Sequence, residues 1–434
     1  MAMKELLLDA VYAGGLLVGS PWFLYKMART GKYRSGLGER LGFVEPRAAG
    51  ECIWVHGVSV GEILAARGLV AALEKELPDV EIVVSATTNT GCAVAKKTYP
   101  GKRVFYYPLD FSRAVARSFR RIRPSLVVLM EFEVWPNFLR RAEREGVSVV
   151  VANGRITDRA FSRLKRFAPF ARGMLRGVTL YLMQTDKYRE RLLDLGAAPE
   201  RVEVTGNVKF DTLSTEIDRE RAARLRCEMG VREGEILVIG GSTHASEEEA
   251  LLAACAELKA RDPRIRLLIV PRHKERFEEV ALVIENAGCR LFRRSWLAAG
   301  RKPAGDEILL GDTMGELESL YEAADVAFVG GTLIPHGGQN MMEPAAKGKP
   351  VIFGPSVENF PVGPDLLIEA GAAVQIESGA QLARAIEAYL DPDMARAAGR
   401  AGADVVRTLK GATARTLARI SEVFRQRDTG TDGL

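Results

Sequence analysis

Twelve short, nearly continuous apolar runs, separated by amphipathic stretches of helix length, constrain this chain more than any other feature. CIWVHG (52–57), EIVVSA (81–86), RVFYYP (103–108), LVVLME (126–131), VSVVVA (147–152) and TLYLMQ (179–184) form one series. ILVIGG (236–241), RLLIVP (266–271), EILLG (307–311), VAFVGG (326–331), PVIFGP (350–355) and AVQIES (373–378) form a second. Runs without polar alternation suit parallel strands covered on both faces. The stretches between them, such as ILAARGLVAALEKEL (63–77), repeat apolar residues every three or four positions. This is βαβ alternation. It pauses at VEVTGNVKFD (202–211), followed by a polar, helical segment without a strand up to Gly234, so the pattern predicts an α/β chain with two open parallel sheets. Ligands of such sheets bind beyond the carboxyl ends of the strands, which makes a cleft between the two domains the expected site.

The first thirty residues depart from this pattern. Leu6 to Tyr25 reads LLLDAVYAGGLLVGSPWFLY with Asp9 as its only formal charge, and Lys26, Arg29, Lys32 and Arg34 follow. That length reaches across a hydrocarbon core, and the positive-inside rule puts the remainder on the cytoplasmic side. No small-residue cleavage signature follows, so residues 1–28 read as an uncleaved anchor helix, either spanning the bilayer or lying in its interface. The rest is ordinary globular composition, 47% hydrophobic and 27% charged, and a net charge of only +5 gives no overall drive toward nucleic acid. Five widely spaced cysteines without a CxxC pair argue against a disulfide framework or a structural zinc.

Chemistry is expected in the loops beyond the strand ends. HGVSVGE (56–62) joins a strand to a helix through Gly57, Ser59 and Gly61, an arrangement that suits an anion or, equally, a tight turn. GxGxxG is absent, which argues against a nicotinamide cofactor. GGSTH (240–244) and VPRH (270–273) follow strands of the second half, and Arg272 offers a planar donor fork to phosphate or carboxylate. GDTMGEL (311–317) opens a helix with Asp312 or Thr313 as N-cap and Glu316 near the capping-box position. In GGTLIPHGGQNMMEPAAKGKP (330–350), Gly337 and Gly338 let backbone approach a ligand, and Asn340 begins a helix. Glu343, one turn on, either accepts from ribose hydroxyls or belongs to a cap. His56, His273 and His336 fall in these loops and His244 ends GGSTH, with no pair at metal-ligand spacing. RAFSRLKRFAPFARGMLR (159–176) carries six basic residues and no acidic one, interleaved with apolar side chains, and RAVARSFRRIR (113–123) adds five arginines. Such segments suit an anionic membrane or lipid phosphates, and no nucleic-acid-binding motif accompanies them.

Taken together, GERLGF (38–43), HGVSVGE, MEFEVWPN (130–137), VTGNVKFD (204–211), VPRHKERF (270–277), GDTMGEL and GGTLIPHGGQNMMEPA resemble the 3-deoxy-D-manno-octulosonic acid (Kdo) transferases of lipopolysaccharide assembly, in one order up to about residue 360. The resemblance implies a GT-B glycosyltransferase with two Rossmann-like domains facing a cleft. Residues 29–205 would take the acceptor, 206–400 the donor CMP-Kdo, and a helix in 401–434 would pack back on the first domain. It also implies inversion at the anomeric carbon, no metal or other cofactor, and transfer to the lipid A precursor lipid IVA at the cytoplasmic face of the inner membrane.

Carried over residue by residue, the resemblance makes Glu39 the general base and Glu131 and Lys209 the stabilisers of the transition state. Pro271, Arg272, Met314, Gly315, Glu316, Asn340 and Glu343 would line the CMP site, with Ser242, Thr243, His273, Gly337 and Gly338 as donor-loop candidates. Ser59, Gly61 and Glu62 are the acceptor-side candidates. Met341 and Met342 replace a less apolar pair common in the family, a difference for packing. A single-phosphate leaving group fits cationic side chains and helix N-termini in place of a divalent ion. Two readings compete with this one. Another GT-B sugar-nucleotide enzyme, a UDP-sugar transferase or epimerase, has no use for an anchor, and an inactive membrane-tethered nucleotide-binding protein has no use for intact Glu39, Glu131, Lys209 and Arg272.

Overall fold

The structure, a computed structural model, describes residues 8–15, 35–360 and 362–429. They form two compact units, Met1–Thr212 with Lys410–Leu434, and Leu213–Leu409.

The first unit is built on seven parallel strands: β1 (Cys52–Gly57), β2 (Glu81–Ala86), β3 (Val104–Tyr106), β4 (Leu126–Met130), β5 (Ser148–Gly154), β6 (Leu180–Met183) and β7 (Val202–Val204). Their order is β3-β2-β1-β4-β5-β6-β7, so the direction of winding reverses between β1 and β4. Ile53 lies opposite Ile82 on one side and Leu126 on the other, and His56 opposite Ser85 and Leu129. β1 and β4 therefore finish level, and the loops after them emerge side by side. One face of the sheet packs Trp54 among Phe105, Tyr107, Phe119 and Phe138, ring centroids 5.2–5.9 Å away. The buried indole N–H donates to Ser85 Oγ at 2.7 Å, which satisfies its one polar atom. His56 is a core residue of β1, stacked on Tyr107 at 3.7 Å and held neutral by burial, which lowers its pKa to about 3; the expectation of a loop histidine is corrected accordingly.

The opposite face is covered by the helices Val60–Glu76 and Ala412–Thr429, the latter burying Ile420 and Phe424. Each such side chain contributes about 1.5–3 kcal/mol. The boundaries lie beyond the expected 205/206 and 400/401 for local reasons. Val208 is buried in the first core, and the Asp211 carboxylate accepts from Gly411 N–H at 2.6 Å and Thr413 N–H at 2.5 Å, so this segment grips the start of the returning helix. The preceding helix, Pro392–Leu409, stays with the second unit, where Gly399 lies so close to the Gly348 carbonyl that a Cβ would meet its oxygen at 1.9 Å.

The second unit repeats the plan with β8 (Ile236–Thr243), β9 (Ile265–Pro271), β10 (Leu291–Arg293), β11 (Ile308–Leu310), β12 (Val326–Val329), β13 (Val351–Phe353) and β14 (Ala373–Gln375), all parallel. The order β10-β11-β9-β8-β12-β13-β14 reverses between β8 and β12. β7 and β10 are strands that the apolar runs do not announce. β7 carries Glu203 at its centre, and β10 is Leu291–Arg293 between Arg290 and Arg294, so charged residues interrupt any apolar run there.

Residues 8–15 are helical and docked on the first unit: Asp9 accepts from Ser112 N–H (3.0 Å) and Asn137 Nδ2 (3.0 Å), and Tyr12 donates to Asp110 at 3.1 Å. The charge inside the expected anchor is thus a protein contact. The rest of that anchor, 1–7 and 16–28, lies outside the described residues, and among the described residues no helix is long and apolar enough to cross a membrane.

Candidate functional site

In the first unit, three strand ends gather charged and strained residues. Glu131 directly follows β4 in a left-handed conformation, φ 58°, rare for a residue with a Cβ and worth about 1–3 kcal/mol of strain. Its N–H still donates to Ala152 O at 2.8 Å, and its Oε1 accepts from Lys209 Nζ at 2.9 Å. Lys209 is placed by its own loop: its N–H donates to Asn207 Oδ1 at 3.0 Å, and the neighbouring Val208 N–H to Asn153 Oδ1 at 3.1 Å. Asn153, in β5, is buried with φ 56°. The chain thus bends at β4 and β5 to bring Glu131 and Lys209 together.

Glu62 and Glu133 stand beside this pair. Ser59 and Glu62 form a reciprocal capping box at the start of the helix Val60–Glu76: Ser59 Oγ accepts from Glu62 N–H, while the Glu62 carboxylate accepts from Val58 N–H at 2.7 Å and Ser59 O–H at 2.8 Å. These two acceptor-side candidates use their polar atoms on each other, whereas a Cβ on Gly61 would meet only Ser59 Oγ, at an ordinary 3.8 Å. Burial raises the pKa of Glu62, with Val58 N–H opposing and Glu131 adding to it. Glu133 is pushed up to about 7 by burial, then by the Glu62 carboxylate, with Trp135 opposing and Glu131 adding. Burial and neighbouring carboxylates thus favour a retained proton on Glu133.

Glu39 lies elsewhere on the same sheet. It belongs to the helical turn Leu37–Arg40, and its Oε2 accepts from the N–H of Tyr106 at the end of β3, 2.8 Å away. Gly36 makes this turn fit, because at φ 71° a Cβ would meet the Tyr106 ring at 1.8 Å. Arg40 covers the same ring at 4.3 Å and donates to Thr87 O at 2.7 Å. β2 and β1 separate β3 from β4, and no contact among the described residues joins Glu39 to the Glu131–Lys209 pair.

The donor candidates converge at the β8, β9 and β12 ends of the second unit. Arg272 N–H donates to Thr243 O at 3.0 Å, tying the VPRH loop to GGSTH, and the charge of Arg272 acts on both His244 and Glu343. Ser242 adopts φ 56°, and the Thr243 hydroxyl is buried without a partner. Asn340 Nδ2 donates to Glu343 Oε1 at 3.1 Å and its Oδ1 accepts from Met342 N–H at 3.2 Å, so the pair is preassembled ahead of the helix Met342–Ala346. Burial raises the pKa of Glu343. Met341 and Met342 are buried, as packing residues.

Other candidates have structural duties. A Cβ on Gly337 (φ 93°) would meet Asn359 Nδ2 at 2.4 Å and one on Gly338 (φ 79°) Ser356 O at 2.9 Å; the space expected for a ligand is filled by this unit's own loop. Glu316 is clasped by Arg294 through two 2.9 Å bonds, and that arginine first of all lowers its pKa. The helix starts only at Leu317, and Asp312, instead of capping it, accepts from Ser295 N–H at 2.8 Å. Met314 is left 62% exposed, followed by Gly315 at φ 84°.

The sequence reading missed Glu247. Within the acidic run SEEEA, this fully buried carboxylate accepts from the N–H groups of His244, Gly331, Thr332 and Leu333 at 2.7–3.0 Å and so fixes the loop after β12. Its spacing of three from His244, where a cap partner belongs, was the available signal. Among the described residues, no group of three or more His, Cys, Asp or Glu is placed to hold a metal ion. The basic segment folds as two helices, Asp158–Arg166 and Ala168–Leu175, leaving Phe167 and Phe170 exposed.

Residues 35–212 match the family described as 3-Deoxy-D-manno-octulosonic-acid transferase (kdotransferase). A 3-deoxy-D-manno-octulosonic acid transferase of Haemophilus influenzae is 33% identical over 416 residues, covering 94% of this chain and 96% of the relative. One from Bordetella pertussis is 34% identical and covers 92% of each. The solved structure of a glycosyltransferase from Rickettsia africae superimposes with a TM-score of 0.57 over 88% of this chain and 99% of its own at 14% identity, a likeness of fold of the GT-B kind. Identity at this level across nearly the whole length of the relatives, in step with paired parallel sheets, shows that the chain belongs to the 3-deoxy-D-manno-octulosonic acid transferases, a family of glycosyltransferases.

Proposed function

We propose that this Kdo transferase takes Kdo from CMP-Kdo and delivers it to lipid IVA at the cytoplasmic face of the inner membrane, with inversion and without a metal. An acceptor hydroxyl oxygen attacks the anomeric carbon of Kdo; its proton passes to the Glu39 carboxylate, and the bond from that carbon to the CMP phosphate breaks with its electron pair leaving on CMP. Lys209, held by Glu131, answers the developing charge on the first unit, and Arg272 does so on the second. Pro271, Met314 to Glu316 and the Asn340–Glu343 pair hold CMP. The observation that carries the reading is the Glu131–Lys209 pair. A strained strand end and two dedicated loop hydrogen bonds maintain a contact that a merely structural surface pair does not require. Exposed Leu37, Phe43, Trp135, Phe167 and Phe170, with the arginines among them, supply the apolar and basic surface for membrane and lipid.

Rates of CMP release with lipid IVA, for the full-length chain and its Glu39→Gln and Arg272→Ala variants, test this. Glu39→Gln is expected to abolish turnover with little change in donor KM, and Arg272→Ala to raise donor KM. An inert wild-type chain that turns over a UDP-sugar saturably sinks the proposal.

A further inference from the structure

Three of the four histidines meet at one place that the residues assigned to CMP do not explain. His244 follows β8, His273 follows β9 and His336 follows β12, three adjacent strands at the point where the winding of the second sheet reverses. The His244 and His336 rings are 4.3 Å apart and tilted by 41°, and the His244 and His273 rings 5.6 Å apart, edge to face at 81°. His244 forms a buried floor and the other two stand exposed above it. Gly331 closes the side: at φ 67° a Cβ there would meet the Cδ2 atoms of both His244 and His336 at 3.3 Å.

The charged groups acting on His244 are cationic. Arg272 and Arg276 both act on His244, and Arg276 is itself committed to Glu248 and Glu279. The Glu247 carboxylate is taken up by four backbone N–H groups, including that of His244. Gln339 Nε2 lies 3.4 Å from His244 Nε2. Burial, then His336 and His273, then the two arginines depress the pKa of His244 to about 4, so His244 is neutral in the free protein. An incoming anion removes that penalty.

We propose that His244, His273 and His336, with Arg272, form the subsite for the carboxylate of the donor sugar, and that the cluster takes up a proton as the donor binds. This rests on CMP-Kdo being the donor. The anomeric carbon of a 2-keto acid sugar bears both its carboxylate and the phosphate ester, so two anions arrive side by side. Arg272 faces the phosphate, and the imidazoles are the remaining groups there able to become cationic. A sugar of a UDP-hexose lacks that carboxylate, which makes the cluster a determinant of donor class.

The test measures donor KM for the full-length chain with saturating lipid IVA from about pH 6 to about pH 8, and the inhibition constant of CMP, for wild type, His336→Asn and His244→Gln. Binding coupled to proton uptake weakens as pH rises, by up to about tenfold per unit for one proton. Wild-type donor KM is expected to climb accordingly. His336→Asn, at an exposed position, is expected to raise donor KM about tenfold near about pH 6.5, to flatten the profile, and to leave CMP inhibition within about twofold. A parallel loss of donor and CMP affinity, or an unchanged profile in a folded variant, overturns the subsite. A wild-type chain inert toward CMP-Kdo overturns the donor assignment and the subsite with it.

Discussion

Replacing Lys209 by Met separates what the Glu131–Lys209 pair does for stability from what it does for turnover. The charged atoms are 2.9 Å apart, with the side chains 42% and 23% exposed. In water two unit charges at that distance attract by 332/(80 × 2.9), about 1.4 kcal/mol. Salt and the ordering of a long side chain reduce such an exposed pair to about 1 kcal/mol or less. Met retains most of the apolar stem, so the melting temperature of a unit of this size should fall by no more than about 2–4 °C. The catalytic role is of another order. As CMP departs with the bonding electrons, an ammonium poised at the developing charge stabilises the transition state more than the ground state, and losing one such donor costs about 2.7–4 kcal/mol, or about 10²–10³ in kcat. Initial rates with CMP-Kdo and lipid IVA, alongside calorimetric melting, read both quantities. A kcat within about threefold of wild type refutes the catalytic assignment; a melting loss far beyond about 4 °C shows that the pair is structural.

Other expectations follow from the same geometry. The folded pKa of Glu133, about 7, lies above its unfolded value of 4.5, so the native chain holds a proton across that window and stability falls as pH rises through it. Glu133→Gln should therefore raise the melting temperature by about a few degrees at about pH 8 and leave it unchanged near about pH 4.5, as a thermal-shift series would show. Asp211→Ala removes the acceptor of two N–H groups at the start of the helix Ala412–Thr429 and should cost about 1–2 kcal/mol in urea unfolding, with faster amide exchange concentrated in that helix. Gly36→Ala puts a methyl group into the Tyr106 ring at a positive φ and should displace the Glu39 turn. Turnover should fall at least about tenfold while urea unfolding of the unit moves by about 1 kcal/mol; unchanged turnover would show that Glu39 does not depend on this turn.

The two parallel sheets were legible because strands buried on both faces must be apolar throughout, and twelve of the fourteen strands fall on such runs, as in CIWVHG or LVVLM. β7 and β10 were not, because Glu203 in the one and the arginines around the other interrupt the apolar run. In the site, charged residues at strand ends could be read as candidates, but pairing them required geometry. Nothing in the spacing of Glu131 and Lys209, 78 residues apart, specifies their contact. Glu247 was hidden inside an acidic run that resembles a solvated helix face, since only the fold shows that four loop N–H groups end on it. Gly337 and Gly338 illustrate the converse: in a promising loop, positive φ and the nearness of Asn359 and Ser356 already require glycine.

The most direct test of the account is the mass of the lipid product after full-length chain, CMP-Kdo and lipid IVA have reacted to completion in excess EDTA. The account predicts that lipid IVA gains whole Kdo units, one CMP being released for each, and that Glu39→Gln leaves the lipid unmodified. Unmodified lipid IVA with the wild-type chain, or a mass gain that EDTA suppresses, would contradict the transfer reaction or its independence of metal respectively.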